Sequence, residues 1–363
     1  MRIAIITPNY SLAGVPLAQY RLARVLVSRG HDVELIIGSL PFGISPPPCS
    51  GLKINILRKI RVIHLFLPLI KIFNNKKFDV IFSAEDHLNI IVLLALIFTG
   101  SRAKVSCSSR VTPFDTYSNF LFSKGWIMKQ LTRLTMYRAD VLTCVSQDMV
   151  LQYQEIFRSN KHICIYNIVG DKNSLEIIDE PVNHPWINDP NQKLIVAAGK
   201  LAPWKGFEDL IKAMSIVVKE RHAKLLILGD GPLREDLQKL ISHLKLENSI
   251  ELVGYVNNTL KFFRKSDIFV LSSLVEGLPN VLVEAMICGC TPVATNCPTG
   301  PREVLQDGSY GYLVPPGDIN LLAKGIIKAC DKPIEDKLLN EAVIPFGEEQ
   351  VLNSHSKALG IKL

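Results

Sequence analysis

The chain alternates short, almost wholly apolar runs with longer amphipathic stretches, and it does so twice. The first series is "IAIIT" (3–7), "VELIIG" (33–38), "INIL" (54–57), "DVIFS" (79–83), "KVSCS" (104–108), "VLTCVS" (141–146) and "HICIY" (162–166). The second is "KLIVAAG" (193–199), "KLLILGDG" (224–231), "IELVG" (250–254), "IFVLSS" (268–273) and "TPVAT" (291–295). Strands this continuously apolar are covered on both faces, which predicts parallel sheets with helices on either side. The clearest helix is "PLAQYRLARVLVSRG" (16–30), where Leu17, Tyr20, Leu22, Ala23, Leu26 and Val27 share a face and Gly30 closes the run. Two series predict two α/β domains. Residues 1–168 form the first and 193–340 the second. The stretch 169–192, polar and without period, holds three prolines and reads as a linker. Residues 341–363 are expected to form a terminal helix that returns to the first domain. In open parallel sheets ligands bind beyond the carboxyl ends of the strands. The loops after "IAIIT", "IVAAG" and "IFVLSS" are therefore expected to line a cleft between the domains.

Composition narrows the class. The 363 residues are 48% hydrophobic and 21% charged, which is ordinary for a globular protein of two domains. Of the eight cysteines only Cys288 and Cys290 are close, as C-x-C. That spacing lacks the second ligand pair of a zinc site, so reduced, buried thiols are expected. The opening "MRIAIITPNY" reads as a first strand, not a secretion signal. "LNIIVLLALIFTG" (88–100) falls short of the ~20 residues that span a bilayer and reads as a core helix. Charge is unevenly placed: 20 Lys and Arg face 9 Asp and Glu in residues 1–170, against 21 and 25 in the remainder. A basic first half suits an anionic surface or substrate.

Several short stretches could carry chemistry. In "AAGKLAPWKGFEDL" (197–210), Lys200 and Lys205 follow a strand end and Gly206 leads into a helix, a place suited to an anion or simply to solvent. "LILGDGPLREDL" (226–237) is a strand, a turn and a helix started by Pro232. In "VEGLPNVLVEAMICGC" (275–290), Asn280 is a candidate helix cap, and the free N–H groups of Val281 and Leu282 could hold a phosphate. Glu284 could then accept hydrogen bonds from a ribose diol, and Glu276 from a second set of hydroxyls. On spacing alone, Glu284 could equally complement the helix dipole and Glu276 lie on the surface.

Downstream, "CPTGPREVLQDGSYGYLVPPGD" (297–318) adds context. Taken in order, "GKLAPWKG", "LLILGDGPL", "VEGLPNVLVEAM" with its E-x7-E, "GCTPVAT" and "GYLVPPGD" resemble the C-terminal domain of family 4 glycosyltransferases. These are retaining enzymes with two Rossmann-like domains facing across a cleft, the fold called GT-B. The first half resembles that family through "PNYSLAGVPLAQYRLARVLVSRGHDVEL", "YRADVLTCVSQ" and "IYNIV". The resemblance implies that Glu276 contacts the transferred sugar, Glu284 the donor ribose, and Lys200 and Lys205 the diphosphate. It places Gly277 and the amides of Asn280, Val281 and Leu282 at the donor, and the Val256 backbone near the base. The family commonly has Arg in place of Lys200, so the bidentate fork is lost there. Ala13-Gly14 stands where the family has a Gly-Gly turn, and Gly14 could still let the backbone approach a phosphate. Arg110, in "SCSSRVTP", stands near the place of a family histidine; it could bind a phosphate or an acceptor carboxylate but cannot accept a proton.

The expected reaction is retaining transfer of a sugar from a nucleotide-diphosphate sugar, UDP-linked by expectation, to a saccharide acceptor. The leaving diphosphate is neutralised by cations and a helix end. No D-x-D occurs, so neither metal nor other cofactor is expected. The segment "RKIRVIHLFLPLIKIFNNKKF" (58–78) reads as basic and amphipathic, suited to an anionic membrane surface, although Pro68 interrupts its period. Together with the family's frequent use of lipid-linked saccharides, this points to a lipid-linked acceptor in bacterial surface polysaccharide assembly. The expected location is cytoplasmic, on the inner face of the cell membrane. The alternatives are a nucleotide-sugar epimerase of the same fold and a catalytically dead binding subunit. Nucleic acid is not an expected partner, because no basic aromatic strand set is present.

Overall fold

The computed structural model describes residues 1–363 except Leu12, Ala13, Phe42, Ile44 and Asn188, and the side chains except those of Asp115 and Asn173. The chain divides into two compact units: Met1–Val169 with Glu348–Leu363, and Gly170–Gly347.

The first unit is built on β1 (Arg2–Asn9), β2 (Asp32–Ser39), β3 (Leu52–Ile56), β4 (Val80–Ala84), β5 (Lys104–Ser109), β6 (Val141–Cys144) and β7 (His162–Cys164). They form a parallel sheet in the order β3-β2-β1-β4-β5-β6-β7. The two-residue strand period explains the unbroken apolar runs. Ile3 and Ile5 enter a core with Tyr20, Leu26 and Val33, whereas Ala4 and Ile6 enter another with Leu65, Leu69, Leu88 and Leu96. The first core is made in part by the helix Gly14–Ser28 and the second by the helices Phe66–Asn75 and Asp86–Thr99. Asp86–Thr99 contains the apolar stretch 88–99 and is a core helix, as its length requires. Pro68 does not break its segment. It is the third residue of the helix Phe66–Asn75, where an N–H has no intrahelical partner in any case.

The terminal helix Glu348–Leu359 completes this unit. Val351, Leu352 and Leu359 join the core with Tyr20 and Leu26. Arg29 pairs with Glu349, and Lys104 donates to the Leu359 carbonyl. His355 on the same helix is buried, its ring edge-on to Phe82 with centroids 5.2 Å apart. Burial holds its imidazole down to about 3, and the charge on Arg110 pushes the same way. His162 is buried too and held down to about 4. Both therefore stay neutral in the fold and bind protons only on unfolding. Their contribution is complete above the free histidine value and is lost as pH falls toward the folded values. Each fully differential proton is worth about 1.4 kcal/mol per pH unit. Urea unfolding between pH 7 and 5 should show stability falling as acid is added, and His355→Phe should flatten that slope.

The second unit contains β8 (Lys193–Ala198), β9 (Ala223–Leu228), β10 (Ile250–Gly254), β11 (Ile268–Leu271), β12 (Thr291–Thr295) and β13 (Tyr312–Val314), ordered β10-β9-β8-β11-β12-β13 and all parallel. The helices Phe207–Glu220 and Ile319–Asp331 cover one face through Leu210, Met214, Leu322 and Ile326. The polar stretch expected to be a linker is folded into this unit. Asn258 Nδ2 donates to the Ile177 carbonyl at 2.8 Å, His184 Nε2 lies 3.1 Å from Glu251 Oε2, and Lys224 sits over the Trp186 ring at 5.2 Å. Its prolines and lack of period signal irregular backbone, which is a different property from independence. Cys288 and Cys290 are buried thiols directed at the carbonyls of Leu260 and Phe263 at 3.5 and 3.0 Å. Among the described residues no cluster of His, Cys, Asp or Glu could hold a metal ion. No helix of the described residues is long and apolar enough to cross a membrane.

Candidate active site

In the second unit the strand order reverses between β8 and β11. Chain leaves these neighbours in opposite directions, which opens a crevice at their carboxyl ends. The loop after β8 carries Lys200 and Lys205, and the loop after β11 carries Glu276 and leads into the helix Asn280–Ile287. The crevice therefore gathers the residues that the sequence placed 71 positions apart.

The two loops are locked to each other by backbone. Trp204 accepts a hydrogen bond on its carbonyl from the Leu274 N–H at 2.8 Å, and Ser272 Oγ donates to the Lys205 carbonyl at 2.8 Å. Gly206 lies at φ +64°, and a Cβ there would stand 2.0 Å from the Ser272 carbonyl oxygen. Only glycine allows that approach. Lys205 Nζ then reaches Glu276 Oε1 at 2.5 Å, and Ser273 Oγ donates to the same oxygen at 2.6 Å. Both side chains of the ion pair are largely buried, with 18% and 11% exposure. Such a pair is stronger than a surface one, because solvent screens it less. The backbone at Glu276 is held by its N–H to the Pro298 carbonyl at 2.7 Å and by the Thr299 N–H to its own carbonyl at 3.0 Å. Thr299 Oγ1 also donates to the Gly277 carbonyl at 2.8 Å. Glu276 is thus a fixed carboxylate beside a fixed ammonium.

The helix Asn280–Ile287 begins one residue earlier than the capping argument expected. Pro279 occupies the cap, Asn280 is the first helical residue, and no side chain caps the end. Val281 is half-buried, Leu282 is fully buried and Glu284 is buried in the second turn. Lys200 is exposed and makes no hydrogen bond with a described residue. Val256 is half-buried in the loop that follows β10. Cys297 is a buried thiol near the ion pair, and burial pushes it up to about 11, so it is no nucleophile at neutral pH.

The first unit has its own reversal, between β1 and β4. Gly14 opens the helix after β1 at φ +63°, and a Cβ there would meet nothing within 4 Å. Ala13, its partner in the expected turn, lies outside the described residues. After β4 comes Glu85, which the sequence reading did not single out. It sits at φ +82°, a conformation rare for a residue with a side chain, and its N–H donates to the Ser108 carbonyl at 3.0 Å. Next to it, buried Asp86 accepts from Ser109 Oγ at 2.6 Å, Tyr117 OH at 2.8 Å and Tyr153 OH at 2.5 Å. These bonds tie the end of β5 to three other segments and fix the residue that follows, Arg110. The Nε and Nη1 of Arg110 are occluded and have no hydrogen-bond partner among the described residues. Burial holds its guanidinium down to about 10, with Glu85 opposing, while burial raises Glu85, with Arg110 opposing. A carboxylate and an unspent guanidinium on adjacent strands can together read a ligand carrying hydroxyls and an anion. The signal that could have found Glu85 is the Glu-Asp pair directly after a buried strand.

Comparison with known proteins identifies the family and the fold. Residues 183–344 match the model for glycosyl transferases group 1, and residues 13–170 that for glycosyltransferase family 4. An uncharacterised glycosyltransferase of Methanocaldococcus jannaschii is 30% identical over 325 residues, covering 83% of this chain and 79% of that protein. The 4-alpha-N-acetylgalactosaminyltransferase of Campylobacter jejuni that acts on N-acetylgalactosamine-N,N'-diacetylbacillosaminyl-diphospho-undecaprenol is 29% identical, covering 77% of this chain and 74% of that one. Among solved structures, HepE of Anabaena in complex with UDP-glucose matches with a TM-score of 0.75 at 17% identity, covering 99% of both chains. From the conjunction of two parallel-sheet units, a lysine–glutamate pair at a strand-order reversal and these matches, the chain belongs to the family 4 glycosyltransferases of the GT-B fold.

Proposed function

We propose that the protein transfers a sugar, with retention of configuration, from a UDP-sugar to a lipid-linked saccharide in the assembly of a bacterial surface glycan. The single observation that carries the donor half is the Lys205–Glu276 pair held beside the amino end of the helix Asn280–Ile287. In this reading Lys205 and Lys200 neutralise the donor diphosphate, and of the amides expected to help only the Val281 N–H adds a donor, because those of Asn280 and Leu282 are spent on the Leu278 and Pro279 carbonyls at 2.9 Å each. Glu276 accepts hydroxyl hydrogen bonds from the transferred sugar, Glu284 serves the ribose, Gly277 lets the backbone approach, and the Val256 backbone meets the base. In the first unit, Gly14 serves the donor phosphate, while Arg110 and Glu85 read the acceptor.

The thiol of Cys297 near the pair is protonated at neutral pH, and Glu276 is engaged by two donors. A front-face transfer fits these groups. The glycosyl–phosphate bond breaks as diphosphate charge develops toward Lys205. The acceptor oxygen bonds to the anomeric carbon on the same face, and its proton passes to the leaving phosphate oxygen. Support for UDP and for a lipid-linked acceptor comes from relatives: HepE was solved with UDP-glucose, and the Campylobacter enzyme acts on an undecaprenol-linked substrate. The basic segment 58–78 and the excess of cations in the first half support work at the inner face of a membrane.

Calorimetric screening of nucleotide sugars, followed by turnover assays with and without chelator, tests this reading. We expect saturable binding of a UDP-sugar, consumption only when a lipid-linked saccharide is added, and full activity in chelator. Consumption without acceptor would instead support epimerisation.

A further inference from the structure

The loop Ser118–Ser123 ends in three consecutive apolar side chains, Phe120, Leu121 and Phe122, that are 80%, 63% and 77% exposed. Isolated exposed apolar residues are ordinary, but three in a row at a loop tip are not. The tip is built rather than frayed. Phe122 takes φ +59°, Ser123 Oγ donates to the Phe120 carbonyl at 2.7 Å, and the Ser123 side chain caps the helix Lys124–Thr135. Phe122 leans on Trp126 with ring centroids 5.5 Å apart, and Lys129 Nζ holds Asn119 Oδ1 at 2.7 Å. This framework projects the apolar tip although water gains nothing from it.

The tip leads into one of three helices that pack in a row. The helix Asp86–Thr99 packs against both Phe66–Asn75 and Lys124–Thr135. Each contributes exposed apolar side chains: Leu67, with Ile63 in the turn Val62–Leu65 before it, Phe98 joined to Phe66 at 6.2 Å, and Leu134 with Tyr137 beyond it. The charge along these segments is strongly one-sided: residues 58–138 hold thirteen Lys and Arg against Asp79, Glu85, Asp86 and Asp115. A protein partner of matching shape would need an equally one-sided acidic surface. An anionic bilayer supplies that charge together with an apolar interior.

We infer that Phe120, Leu121 and Phe122 insert into the acyl boundary of an anionic membrane while the cations of the helices Phe66–Asn75 and Lys124–Thr135 and their flanks engage the headgroups. This deepens the membrane-surface reading above and rests on it for its biological sense, but its test does not require sugar transfer. The basic segment 58–78 alone would give binding that salt abolishes. Insertion adds a component that salt leaves in place.

The experiment is flotation of the full chain on phosphatidylglycerol–phosphatidylethanolamine vesicles at low and high salt, with phosphatidylcholine vesicles as reference. We expect the triple variant Phe120→Ser, Leu121→Ser, Phe122→Ser to bind about 100-fold more weakly at both salt levels, as expected for apolar area withdrawn from lipid. Lys59→Gln with Arg61→Gln should weaken binding at low salt and matter little at high salt. Brominated lipids should quench Trp126 in the parent and not in the triple variant. Unchanged flotation of the triple variant would overturn the inference. So would parent protein that ignores vesicles but self-associates through this tip, since the face would then join two copies of the chain. UDP-sugar binding, measured by calorimetry without vesicles, should be the same for both proteins. Its absence in both would count against the transferase reading and leave the vesicle result standing.

Discussion

Glu276→Gln should lower turnover by about 10³-fold, equivalent to ~4 kcal/mol of lost transition-state stabilisation, while donor binding changes by a few-fold. The amide keeps the volume and can still accept one hydrogen bond, so the Ser273 contact can survive. What is lost is the charge that pairs with Lys205 at 2.5 Å and that, in the proposed reaction, meets the hydroxyls of the sugar as positive charge grows at its anomeric carbon. A steady-state assay with the sugar nucleotide found by calorimetry measures it, with thermal unfolding to show that the fold persists. Near-parental turnover would remove Glu276 from the reaction and leave it a structural partner of Lys205.

Lys205→Met should lower turnover by about 10²–10³-fold and also weaken donor binding by about tenfold, because in the proposed function this ammonium meets the diphosphate before and during bond breaking. Methionine retains most of the side chain's length and apolar stem. The Gly206 turn and the Ser272 bond to the Lys205 carbonyl do not involve the ammonium, so the loop should hold its course. The double variant with Glu276→Gln should cost less than the sum of the two, since the groups share one hydrogen bond. Strict additivity, read from the same assay, would mean that the two act separately and that the pairing seen without donor has no counterpart during turnover.

Much of the architecture was legible because burial writes itself into strands. Ile3 to Ile6 are apolar at every position since both faces of β1 are covered, and the same holds for β8 and β9. The meeting of Lys205 with Glu276 was legible in part for a related reason. A lysine after one strand and a glutamate after another matter only if the strands are neighbours at a reversal of order, and the order of short motifs along the chain pointed that way. Side-chain partners reached across the sequence were not legible. Ser273 and Thr299 look like ordinary loop residues, and Glu85 shows its importance only through a positive φ and a guanidinium on the next strand. Nor could spacing alone separate an irregular segment from a free one, which is why 169–192 read as a linker although His184, Asn258 and Trp186 tie most of it to the second unit. The cap at 279–280 was misplaced by one residue because Pro279 can precede a helix without supplying a side-chain acceptor.

The first unit is completed by residues from the other end of the polypeptide. Val351, Leu352 and Leu359 share a hydrophobic core with Tyr20 and Leu26. On the ribosome, the amino-terminal sheet must therefore wait, one greasy flank uncovered, while the whole of the second unit is synthesised. A stop codon near the end of the message would cripple the half of the protein made first, and chaperones should hold that half longest.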